Sequence, residues 1–127
     1  MVVFRPFLNQ SLTTEMDPPD GGSVTVSSPS IQVPAGRRNY ADIMLKIDKL
    51  EKTGGLADLY LYVDESMNGI GWSGTEIAAA VGAVTENHQH MLTMPFVRFR
   101  AILELTGGVS GDVAFTTFDV VANLLRS

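Results

Sequence analysis

The run Phe96-Val-Arg-Phe-Arg-Ala-Ile-Leu-Glu-Leu-Thr106 constrains this chain more than any other segment. Val97, Phe99, Ala101, Leu103 and Leu105 alternate with Arg98, Arg100, Glu104 and Thr106, and only Ile102 breaks the pattern. Side chains repeat with period two along a strand, so such a run buries one face and wets the other. A second phrase, Leu59-Tyr-Leu-Tyr-Val-Asp-Glu-Ser-Met-Asn-Gly-Ile-Gly-Trp72, reads as a strand, an Asn-Gly turn and a return beginning at Trp72. Asn68-Gly69 suits a type I′ hairpin, in which both central residues need positive φ.

The other segments fit around these two. Gly22 to Ser28 and Ile31 to Val33 read as short strands, the latter bounded by Pro29 and Pro34. Pro34 to Asn39 reads as a loop. Tyr40 to Lys52 carries two signals. Ala41, Ile43, Leu45 and Ile47 alternate as in a strand, while Ile43, Ile47 and Leu50 also keep helical spacing, with Asn39 as a cap and Gly54-Gly55 as a stop. A strand is expected, because Leu59 to Val63 needs a partner, although propensity leans the other way. Ile77, Ala79, Val81 and Ala83 alternate weakly, Thr85 to His90 reads as a polar loop, and Gly107 to Asp112 as a turn. Val113, Phe115 and Thr117 share one parity and Phe118, Val120 and Ala122 the other, so a bulge is expected near Thr117. Strand signals recur roughly every ten residues, the spacing of a sandwich. The expected fold is all-β: a single antiparallel β-sandwich, jelly-roll or Ig-like, over residues 21–127. Residues 1–20 stand apart, with apolar Val2, Val3, Phe4, Phe7 and Leu8 before a polar stretch ending Asp-Pro-Pro-Asp-Gly-Gly. They form either an edge strand closing the sandwich or an extended N-terminal arm gripping a neighbour.

Composition narrows the function classes. A chain of 127 residues, 45% hydrophobic, fills one core in one domain. Its net charge of −5, with scattered basic residues and Arg37-Arg38 as the only adjacent pair, argues against a nucleic-acid groove. The absence of cysteine excludes disulfides, thiolate zinc sites and a cysteine nucleophile, and makes synthesis in a reducing cytoplasm the simpler expectation. The first residues do not resemble a signal peptide, and no run approaches the roughly 20 apolar residues of a membrane span.

Little in the sequence points to catalysis or metal binding. Asp64, Ser66 and Asn68 before Gly69 imitate the start of a calcium loop, but Thr75 stands at the twelfth place where a glutamate is required, so a plain hairpin is expected. His88 and His90 share a side in an extended segment, with Glu86 on the same parity. A zinc site on these three competes with a solvated loop, and the loop is the expectation. Gly71-Trp-Ser-Gly74 falls one residue short of a nucleophile elbow and reads as a turn. No catalytic residue, metal ligand or cofactor is assigned. Tyr60 and Tyr62 face outward together if Leu59, Leu61 and Val63 face the core, and could stack on a sugar ring or lie beneath a neighbouring subunit. Trp72 is expected in the core. Arg98 and Arg100 point away from the apolar face, either pairing with acids such as Asp112 or Glu104 or docking on an acidic partner.

The stretch from residue 40 to 122 resembles small β-sandwich structural proteins of tailed bacteriophages. These show a strand, a Ser-x-(Asp/Asn)-Gly turn, a Trp, a Val-Arg-x-Arg strand and a Gly-rich turn. Ser66, Asn68, Gly69, Trp72, Val97, Arg98 and Arg100 match that pattern. The resemblance implies a non-enzymatic virion protein, foremost a capsid decoration or cement protein that bridges capsomers on the capsid surface. Its implied partners are the major capsid protein or another virion protein and further copies of itself in a homotrimer, with no membrane and no nucleic acid. The alternative is a carbohydrate-binding or adhesion module of a phage tail or cell surface. Interface candidates under these readings are Val2, Val3, Phe4, Phe7, Leu8, Tyr60, Tyr62, Arg98 and Arg100.

Overall fold

The computed structural model describes residues 2–33 and 39–126; Arg37-Arg38 and the loop expected from Pro34 lie outside the described residues. Among the described residues nine strands follow one another: β1 (Val2–Glu15), β2 (Gly22–Ser27), β3 (Ile31–Gln32), β4 (Asn39–Lys52), β5 (Leu56–Ser66), β6 (Ser73–Ala80), β7 (Val84–Leu92), β8 (Phe96–Thr106) and β9 (Val113–Arg126). All named pairings are antiparallel. One sheet has the order β1-β9-β4-β7 and faces a second of order β2-β8-β5-β6, with the short β3 also on β8. Apart from the links β2–β3 and β5–β6, each connection passes from one sheet to the other. That crossing order is a jelly roll, which decides between the two sandwich types expected.

The core lies where alternation placed it. Val97, Phe99, Ala101, Leu103 and Leu105 of β8 are fully buried beside Leu59, Leu61 and Val63 of β5. They meet Ala41, Ile43, Leu45 and Ile47 of β4 and Phe118, Val120 and Ala122 of β9 from the other sheet. β4 is a strand along its whole length because β7 and β9 pair with it on both sides. Tertiary pairing of a half-buried pleated face thus outweighs the local helical signal.

Five expectations are corrected. First, Thr85 to His90 is not a loop but the middle of β7. β7 is an edge strand, so its inward side chains Glu86, His88 and His90 stand at the open rim of the sandwich. They remain half-buried and form acid–imidazole pairs, His88 with Glu86 and His90 with Glu65, instead of packing as apolar groups. Second, the inward residues of β6 are Ala78 and Ala80, while Ala79 and Val81 are exposed. The register passes from Leu61↔Ala78 to Tyr62↔Glu76, making Ile77 the extra residue of a bulge that inverts the parity. Third, the bulge expected near Thr117 lies across the ladder on β4, between Ile47 and Lys49. β9 keeps one parity, with Ala114, Thr116, Phe118, Val120 and Ala122 buried. Thr116 tolerates burial because its Oγ1 donates to the Lys49 carbonyl at 2.7 Å, next to the bulge. Fourth, the β5–β6 turn is not type I′. Only Gly69 takes a positive φ, 77°, and the returning strand starts at Ser73, not at Trp72. Ser66 Oγ accepts from the Asn68 and Gly69 amides, and Asn68 Oδ1 accepts from those of Ile70 and Gly71. These side chains do the work the backbone of a tight hairpin would otherwise do. Fifth, Trp72 is half-buried in that turn and is not a core residue.

The first segment is part of the sheet. β1 pairs with β9 from Val2↔Leu124 to Glu15↔Val113, and Phe7, Leu12 and Met16 enter the core. Phe7 meets Phe118 edge-on with ring centroids 5.5 Å apart. Register shifts on either side of Phe7, and Pro6 within the strand, interrupt the open edge. Such features keep an edge from pairing with a foreign strand.

Candidate functional surface

The most organised polar cluster stands on the outer face of the second sheet. Near its end, β5 departs from alternation: Val63, Asp64, Glu65 and Ser66 are all buried. Asp64 points outward beneath two guanidinium groups of β8, brought opposite by the register Asp64↔Arg98 and Tyr62↔Arg100. Its side chain is 2% exposed, against 27% for each arginine. Arg98 Nε donates to Oδ2 at 3.0 Å, Arg100 Nε to Oδ2 at 3.1 Å, and Arg100 Nη2 to Oδ1 at 3.3 Å. Gly74 of β6 makes room, since a Cβ there would lie 2.7 Å from both Arg100 Nη2 and Asp64 Oδ1. Each guanidinium also covers an aromatic ring. Arg98 lies 4.4 Å from the centroid of Trp72, and Arg100 4.3 Å from that of Tyr62. Tyr62 Oη donates to Glu76 Oε1 at 3.5 Å. The result is a ladder Trp72–Arg98–Asp64–Arg100–Tyr62–Glu76 across three strands and the turn between two of them. Cation–π contacts and a shared carboxylate hold the arginines flat against the sheet.

Two cations on one carboxylate leave that part of the ladder with a surplus positive charge, on a chain whose net charge is −5. The partner expected for the arginines, Asp112 or Glu104, is thus replaced by Asp64. Asp112 instead accepts from Thr53 Oγ1 and the Val109 amide at the β8–β9 turn. Tyr60 lies beyond the ladder, between Ala79 and Ile102. Partial burial, then the charges of Asp58, Glu104 and Glu76, push its phenol pKa up.

A second cluster joins the sheets at the sandwich rim. Glu65, 8% exposed, accepts from the Thr93 and Met94 amides at 2.7 and 3.3 Å, and its other oxygen lies 3.1 Å from His90 Nε2. This carboxylate anchors the β7–β8 corner. His88 Nε2 turns instead to Glu86 at 3.0 Å. The two histidines therefore serve separate acids, and the described residues contain no group of three His, Asp or Glu placed to hold a metal. Asp64, spent on its arginines, is likewise no calcium ligand in this arrangement.

The candidates chosen from sequence divide between the two sheets. Tyr60, Tyr62, Arg98 and Arg100 share the outer face of the second sheet. β1 lies in the first, where Val3 and Leu8 are 42% and 59% exposed. Phe7 is core, which corrects its choice as a contact residue, and Phe4 is half-buried with its ring 5.9 Å from that of Phe99. Val2 pairs with Leu124 through the backbone. Sequence reasoning weighed Asp64 only as an oxygen of a calcium-like loop and missed it as the anchor of the arginines, although its position in a Val-Asp-Glu-Ser run that breaks the alternation was a usable signal.

No family model matches the chain, and no curated protein matches it. Solved structures do. VP2 of infectious bursal disease virus, Gt strain, superposes with a TM-score of 0.66 at 12% identity, over 98% of this chain and 32% of that one. A VP2 subviral particle of the same virus gives 0.60 at 11% identity, over 95% and 32%. A carbohydrate-binding module in complex with β-1,4-galactotriose aligns with 98% of this chain at a TM-score of 0.42, too low to carry an argument. This chain spans about a third of the length of the VP2 chains, and at such identities the likeness is one of fold: the chain is a jelly roll of the kind found in a viral capsid protein.

Proposed function

We propose that this protein is a non-enzymatic virion structural protein, a decoration or cement protein that bridges capsomers on the outside of a tailed-phage head. The observation that carries the reading is the two-sheet fold, on which VP2 of a subviral particle superposes over 95% of this chain. The side-chain chemistry of the outer face supports it. The buried acids Asp64 and Glu65 are consumed by structural partners, and the Arg98–Asp64–Arg100 part of the ladder is a rigid patch with surplus positive charge, suited to an acidic partner surface. A sugar-stacking role for Tyr60 and Tyr62 together fits less well, because Arg100 already occupies a face of the Tyr62 ring.

The mechanism is mass action. Many copies, as homotrimers, bind the assembled shell and not its separated subunits, and so raise the work of disassembly. β1 is committed to its own sheet, so attachment runs through exposed side chains such as Val3 and Leu8 and not through a strand lent to a neighbour. The test is co-sedimentation with empty shells of the virus encoding the chain, with mass measured in solution. Saturable binding by a trimer that raises the shell's disruption temperature is expected. Loss of binding is expected in Leu8→Asp with melting unchanged. A protein that ignores the shells, or one that Leu8→Asp leaves fully bound, overturns the reading or its proposed contact, respectively.

A further inference from the structure

The outer face of the first sheet holds an open depression of about 510 Å3, across the sandwich from the arginine ladder. That volume is in the range of sites for small molecules, roughly 300–1,000 Å3. The strand register builds it. Asp42 of β4 stands opposite Gln89 of β7 on one side and Asn123 of β9 on the other. In the next row Met44 stands between Asn87 and Val121. Met44 and Val121 supply an apolar floor, half-buried, while Asn87, Gln89, Asp42 and Asn123 supply amides and a carboxylate around it.

Three features mark this as more than a wet sheet surface. Asn and Asp are disfavoured in strands, yet here they occupy the interior of three neighbouring ones. The side-chain amides of Asn87 and Asn123 have no hydrogen-bond partner among the described residues, whereas Gln89 Nε2 donates to Asp42 Oδ1 at 3.2 Å and fixes that carboxylate. Finally, the lining contains no lysine and no arginine.

We infer that the depression is a binding site for a neutral saccharide. A hydroxyl both donates and accepts, which matches a ring of amides, each a donor and an acceptor, around one carboxylate acceptor. The C–H face of a sugar ring suits the Met44–Val121 floor. A phosphate or sulfate would meet Asp42 with no lysine or arginine to balance it, and the one imidazole in the lining, His88, already faces Glu86 at 3.0 Å. A purely apolar ligand would strip water from the polar rim without replacing its hydrogen bonds. The site is independent of shell attachment. If the shell reading holds, many copies on one particle would turn weak single contacts into avid ones.

The test is a two-dimensional amide NMR titration of the intact protein with glucose, galactose, mannose, N-acetylglucosamine and their short β-linked oligomers, with heparin as the anionic control. Shifts are expected at residues 42–44, 87–89 and 121–123, with weak affinity, roughly millimolar for one sugar. Asn123→Ala and Asn87→Ala should each weaken binding about fivefold, the loss of one neutral hydrogen bond, without lowering Tm. The inference is overturned if no neutral sugar moves these amides, if the shifts map to Tyr60, Tyr62 and Trp72, if heparin binds in preference, or if both alanine variants bind as tightly as the parent.

Discussion

Replacing Asp64 tests whether the arginine ladder is a rigid element of the fold or a loose surface feature. The carboxylate is nearly inaccessible and receives donors at 3.0, 3.1 and 3.3 Å from two guanidinium groups. Charge-assisted hydrogen bonds contribute about 1.5–3 kcal/mol each, so the gross loss in Asp64→Ala is large. Two terms reduce it. The carboxylate no longer has to be dehydrated, and each arginine, 27% exposed, can turn toward water. Removing one partner of a fully buried ion pair costs about 3–5 kcal/mol, and partial exposure of the cations places this site lower, at about 2–4 kcal/mol. For a chain of this size that is a fall in Tm of roughly 8–15 °C. Asp64→Asn, which keeps the volume and one acceptor, should lose about half as much. Urea unfolding of the three proteins gives the free energies, with unchanged slopes expected if the core is intact. The difference should survive in 1 M salt, where the Debye length is about 3 Å, because the pair is shielded from solvent. A loss below about 0.5 kcal/mol, or one abolished by salt, would refute this account and make the ladder an ordinary surface ion pair.

Other substitutions probe the remaining elements. Phe7→Ala should cost about 3–5 kcal/mol, because it empties a packed site against Phe118. A chain lacking residues 2–15 should fail to fold, and a cooperative melt at the parental Tm would show the segment to be an appendage. Ser28→Ala should cost about 1–3 kcal/mol, since the buried Ser28 Oγ accepts from the Phe99 amide at 2.9 Å and no water reaches that donor; equilibrium unfolding reads the effect. The raised pKa of Tyr60 means that the folded state favours the neutral phenol. Its stabilising contribution is therefore complete below the ordinary value of 10.0 and is lost as pH climbs through the raised folded value. Tyr60→Phe should flatten the alkaline decline in stability, and an identical decline in both proteins would count against the assignment.

The fold was legible where one face of a strand is buried and apolar. β8 and β5 follow directly from period two, and β4 follows once a partner for β5 is required. Legibility failed where inward positions are polar or the ladder is irregular. β7 looks like a loop because Glu86, His88 and His90 occupy inward positions at a rim, where charge pairs replace packing. The parity of β6 was misread because a single extra residue, Ile77, exchanges its two faces. In β9 the hydroxyl of Thr116 interrupts the apolar series although burial along that parity is continuous, and the eye shifts to Phe115 and Thr117 instead.

Candidate binding surfaces pose a harder problem, and the reason is topological. Period two states which residues of a strand face outward, but the order of strands decides which outward residues become neighbours. Arg98 and Arg100 were found from their own strand, yet their anchor Asp64 comes from β5, their clearance from Gly74 of β6 and their covering ring from Trp72 of the turn between. The depression on the other face draws Asp42, Asn87 and Asn123 from three strands that meet only because a jelly roll places β4 between β7 and β9. An Ig-like order of the same strands would have kept each residue outward and scattered the cluster. For this chain, then, knowing that the fold is a sandwich was not sufficient to locate a site, and the step from sandwich to jelly roll is what brings these residues together.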